Sequence, residues 1–129
     1  MLPIMAALAL ASGYGASASV SEKRLPVALQ LVGDDGLTQK LSYSLKKTLS
    51  KHPALRLATA SDQRTVTIES DTNVGWDKLA GRTVVIYTVY VHSREERGEP
   101  VTGVCFETAM SKCAKDILRI TQIKARQQL

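Results

Sequence analysis

Leucines at positions 37, 41, 45 and 49 recur every four residues through LTQKLSYSLKKTLSKH. That spacing winds an apolar stripe onto one face of a helix, which must be covered by another element of the core. The opposite face carries Gln39, Lys40, Lys46, Lys47 and Lys51. His52-Pro53 ends the run, because the residue before proline is pushed out of helical geometry. The late lysines, with His52 read as a further helix-end cation, complement the negative end of the helix dipole. Gly33-Asp34-Asp35-Gly36 precedes the stripe, and a carboxylate there accepts from the unpaired N–H groups of the first turn.

The rest of the chain supplies strands to cover that stripe. Residues 25–32 (LPVALQLV) place Val27, Leu29 and Leu31 on one face, with Pro26 tolerable at a strand start. Residues 55–59 form a second strand. In RTVTIES, residues 64–70, Val66 and Ile68 alternate with Thr65, Thr67 and Glu69, so one side is wet. Residues 71–80 (DTNVGWDKLA) show no sustained period and read as a loop. Residues 81–93 (GRTVVIYTVYVHS) read as a long central strand in which Tyr87 and Tyr90 take opposite faces. Residues 94–100 form a charged hairpin loop. Residues 101–107 (VTGVCFE) are the last strand, where Gly103 marks a bulge or close backbone approach and Phe106 belongs to the core. From Ser111 the helical period returns, with Met110, Cys113, Ala114, Ile117, Ile120 and Thr121 on one face.

The order is β-α-β-β-β-β-α. Segregated strands and helices predict an α+β two-layer sandwich: a mostly antiparallel four- to five-stranded sheet with two helices on one face. The 129 residues, 44% hydrophobic and 22% charged, exclude a polytopic membrane protein, a disordered tail and a fibre. Residues 1–18 (MLPIMAALALASGYGASA) carry no charge. Their apolar run is about half the length of a bilayer-spanning helix, and Ala16-Ser17-Ala18 matches a small-x-small cleavage site. They read as a secretory signal, although no Lys or Arg precedes the apolar run; the alternative is a helix packed on the domain. Residues 19–129 then form one exported α+β domain, periplasmic or secreted, without a transmembrane span.

Cys105 and Cys113 are the only cysteines. An even count in an exported chain favours a disulfide, here between the last strand and the final helix.

Catalytic and metal chemistry find little support. Asp34 and Asp35 stand where a helix needs a cap. His52 and His92 are the only imidazoles and share no metal spacing. There is no nucleophile motif and no phosphate-cradling glycine loop, so neither catalytic residues nor a cofactor are assigned. A small hydrolase using Asp34, Asp35 and His92 is the alternative. Trp76, with Asp77 and Lys78, is the partner-binding candidate, since an exposed indole offers contact area at low entropic cost. The plainer reading has Trp76 folded back as a lid over one end of the sheet.

The excess of seventeen Lys+Arg over twelve Asp+Glu concentrates on the two helices. Lys40, Lys47, Lys51, Lys115 and Arg119 are therefore the candidate anion-binding residues, for an anionic glycan or lipid. A solvated helical face is the plainer reading. Nucleic acid is disfavoured by export and by an aromatic content of 5%.

A signal, GDDG before an amphipathic helix, a threonine-rich strand and a closing Cys…Cys helix resemble small secreted proteins of Gram-negative bacteria. In fold order alone the chain resembles the N-terminal domain of TolB-type proteins, which implies nothing about activity. The resulting expectation is a non-enzymatic, partner- or ligand-binding module of the bacterial envelope.

Overall fold

A computed structural model describes residues 23–33, 35–93 and 97–128. The signal assigned to residues 1–18 and the domain start at residue 19 lie outside them, as do Asp34 and residues 94–96. The elements in chain order are β1 (Leu25–Leu31), α1 (Gly36–Ser50), β2 (Leu55–Leu57), β3 (Val66–Ser70), β4 (Gly75–Leu79), β5 (Arg82–His92), β6 (Val101–Phe106) and, after a 3-10 turn at Glu107–Ala109, α2 (Met110–Gln128).

The leucine stripe becomes α1. Leu41, Leu45 and Leu49 have no exposed surface, and Leu37 packs partly buried against them. Asp35 is the N-cap, accepting from the Thr38 amide at 2.9 Å. The hydroxyl of Thr38, itself buried, accepts the Val74 amide at 2.9 Å and ties the helix start to the link between β3 and β4. At the other end Arg24 donates to the Leu49 carbonyl at 2.8 Å and to the Leu55 carbonyl. Both ends of α1 are thus fixed to the sheet.

The sheet has six strands, curled and mixed, instead of four or five mostly antiparallel ones. β1 pairs in parallel with β2 (Leu25 opposite Leu55) and with β3 (Val27 opposite Val66). The parallel β1–β2 pairing follows from connectivity: α1 carries the chain back to the end where β1 began, so β2 starts beside it. β5 is the spine. Its C-terminal half pairs antiparallel with β3, its N-terminal half with β4 on the same side, and β6 lines its other side. Both helices cover one face. Val66, Ile68, Val85, Val89 and Val91 face the leucines of α1 and the Cys113, Ala114, Ile117 and Leu118 face of α2 in a single core.

β4 is the unexpected sixth strand, inside the segment read as a loop. It joins β5 through Ala80 and Gly81, both at positive φ (52° and 76°), as a two-residue hairpin of the primed kind demands. None of its five residues is buried, so it has no apolar alternation to betray it.

Gly103 is indeed a close approach: a Cβ there would lie 2.5 Å from Cζ of the Tyr87 ring and nearer still to its hydroxyl. Tyr87 is buried, and burial pushes its phenol above the usual range. Phe106 departs from expectation. It is half-buried on the outer face of the sheet with the Arg82 guanidinium 3.7 Å above its ring. Cys105 and Cys113 are disulfide-bonded, their Cα atoms 5.7 Å apart, so the end of β6 is joined to the first turn of α2.

Candidate functional site

Three places on this scaffold collect side chains able to do chemistry or binding. The first is the outer face of the sheet, away from the helices. There Glu69 of β3 meets His92 of β5 and accepts from Arg97 at 2.6 Å. Arg97 also reaches Asp71, and its guanidinium lies 4.3 Å above the Tyr90 ring. Hydrogen bonds from Arg97 and then His92 hold the Glu69 carboxyl below its ordinary range, and Arg97 does the same for Asp71. This network pins the chain beyond β5 to β3. Asp35 is engaged instead in capping α1, so the structure does not join it to His92 as a hydrolase site needs.

The second place is the open edge. β4 pairs with β5 on one side, and no strand lies on its other side among the described residues. Trp76 stands there opposite Val85 on the rim of the sheet, 59% exposed. Asp77 accepts from the Lys78 amide at 2.7 Å, and the Lys78 ammonium donates to Thr83 at 2.8 Å. Both charged neighbours are therefore committed locally, and the edge offers the apolar surface of Trp76 and of the equally exposed Leu79.

The third place is a groove of about 1020 Å³ between α1 and α2, within the size range of ligand sites. Four of the five candidate anion-binding residues line it: Lys40, Lys47 and Lys51 from α1 and its end, and Lys115 from α2. Arg119 lies outside it, with Asp116 at 3.8 Å. Lys40 is paired with Glu107 at 2.5 Å, at the end of the groove where both helices begin. Tyr43, Met110 and Pro53 contribute apolar surface. Sequence reasoning marked these lysines but not Tyr43 or Met110, because only the side-by-side packing of the helices brings the two sets together.

His52 closes the other end of the groove. It is not the helix-end cation expected. Its Nδ1 accepts from the amides of Ala54 (3.0 Å) and Leu55 (3.1 Å), which requires a free lone pair. Burial, and then the nearby Arg24, lower its pKa. As pH falls below about 6.5 the unfolded chain takes up a proton that the folded one resists, so stability falls in that window. In urea titrations between pH 7 and pH 5, His52→Gln is expected to show a flatter pH dependence than the parent. Parallel curves would remove His52 as the cause.

Among the described residues no group of three or more His, Cys, Asp or Glu is placed to hold a metal ion. Nor is any helix among them long and apolar enough to cross a membrane.

No protein-family model matches the chain, and no curated protein matches its sequence. Its fold is similar to the crystal structure of a minor lipoprotein from Acinetobacter baumannii. The TM-score is 0.53 at 17% identity, over 79% of this chain and 94% of that one. At that identity the likeness shows a common fold.

Proposed function

We propose that the chain is a non-enzymatic module of the bacterial envelope that docks a partner protein through the open β4 edge. One observation carries the reading: a five-residue edge strand without a buried residue, bearing the molecule's single tryptophan at 59% exposure. Exposed strand edges are ordinarily blunted or covered, since their unpaired N–H and C=O groups recruit further strands. A partner strand laid on β4 gains main-chain hydrogen bonds along the edge and buries the indole. In this reading residues 1–18 are a removed signal, the mature chain begins near Ser19, and the module works in the periplasm or outside the cell. The lipoprotein that shares the fold supports an envelope setting.

Capture from a Gram-negative envelope extract, with parent protein and Trp76→Ala side by side, tests the edge. The parent is expected to retain a protein that Trp76→Ala loses, with a loss of about 2 kcal/mol or more in binding. Emission from Trp76 should move to shorter wavelength on adding the captured protein, since no second tryptophan obscures it. Equal recovery by both proteins, or empty eluates from both, overturns the reading.

A further inference from the structure

The groove between α1 and α2 lies away from the β4 edge and makes no use of it. Lys47 and Lys51 on one wall and Lys115 on the other have no ion-pair partner among the described residues, whereas Lys40 is paired with Glu107. Glu107 is also the only acidic residue in the lining among the described residues, which leaves its cations in excess. The lining beside the cations includes Tyr43, 67% exposed, Pro53 and Met110.

We infer that this groove binds an anionic phospholipid, its phosphate held by Lys47, Lys51 and Lys115 and one acyl chain laid against Tyr43 and Met110. Charge complementarity selects the headgroup. Lysines on flexible stems, with no oriented fork of donors among them, hold a bare phosphate weakly in water. The apolar strip beside them adds what a free anion cannot use. From Lys47, where the phosphate is held, to Lys40 the helix axis runs about 10 Å, at 1.5 Å per residue, room for part of an acyl chain. A tyrosine mostly exposed on the groove wall, an isolated liability in water, becomes the cover over an acyl chain.

The test titrates the oxidised protein with dihexanoyl phosphatidylglycerol below its micelle concentration, followed by NMR. Dihexanoyl phosphatidylcholine and glycerol 3-phosphate are the comparison probes. Phosphatidylglycerol is expected to shift resonances of Tyr43, Met110 and Lys47, and to bind about tenfold more tightly than either comparison probe. The triple variant K47Q/K51Q/K115Q should lose about tenfold in affinity with an unchanged circular-dichroism melt. Tyr43→Ser, which leaves the charge alone, should lose about fivefold. Equal binding of glycerol 3-phosphate with Tyr43→Ser silent would make this a bare anion site and overturn the inference. Equal binding of phosphatidylcholine, undiminished binding by the triple variant, or no binding of phosphatidylglycerol overturns it as well.

Discussion

Replacing Leu45 with alanine is expected to lower the unfolding free energy by about 4 kcal/mol, read from the urea midpoint at constant slope. Leu45 is fully buried in the middle of the stripe, with Leu41 and Leu49 one turn to either side. The loss combines the transfer energy of the removed side-chain atoms with the cavity they leave, and the second part depends on whether α1 can settle inward. Here it cannot move far. Its first turn is held by the Asp35 cap and by Thr38 to the Val74 amide, and its last by Arg24 on the Leu49 carbonyl. A helix pinned at both ends keeps the cavity open, which places the cost in the upper part of the range for such substitutions. Against a total of about 5–15 kcal/mol for a domain of this size, that is a large fraction of the stability. A loss below about 1.5 kcal/mol would mean that α1 does not seat its stripe on the sheet.

Removing the disulfide is the second large effect. Cys105→Ala/Cys113→Ala is expected to cost about 2.5 kcal/mol, or about 10 °C in Tm, from the restored freedom of the loop in the unfolded chain. The two half-cystines are eight positions apart, a small ring, and both are buried. Alanine is the proper replacement because a serine hydroxyl at the fully buried position 113 would need a hydrogen-bond partner. Adding a reductant to the parent protein should reproduce the shift, and should leave the double variant unmoved. A double variant as stable as the oxidised parent contradicts the assignment of a stabilising role.

What the sequence disclosed and what it withheld divide along the range of the interactions. α1 was legible because its evidence is local: four leucines at helical spacing, a carboxylate before them and a proline after. The disulfide was legible from count and spacing. The parallel pairing of β1 with β3 was not, since nothing in LPVALQLV specifies which strand lies beside it or in which direction. β4 was missed because a strand exposed on both faces needs no alternation; its one signal was Ala80-Gly81, a turn suited to a tight hairpin. Phe106 was assigned to the core because aromatic residues usually are, but its place in β6 turns it outward, beneath Arg82. At the groove the cations were read correctly as a group, while the apolar strip that gives them a purpose requires the second helix. The Glu69, Arg97 and Tyr90 network joins residues 28 apart in sequence, a relation no local pattern carries.

The disulfide also bears on the order in which the molecule assembles. Its ring closes over eight positions between a strand and the helix that follows, and that strand pairs with its neighbour β5 across a hairpin. The β4–β5 and β5–β6 pairings and the disulfide ring are thus of low contact order. β1, by contrast, must find β3 across the intervening helix and β2, pairing Val27 with Val66. Long loop closures of that kind are slow compared with hairpins. The β4–β5–β6 meander, closed onto the start of α2 by the disulfide, is therefore expected to form first, with docking of the leucine helix and β1 as the rate-limiting step.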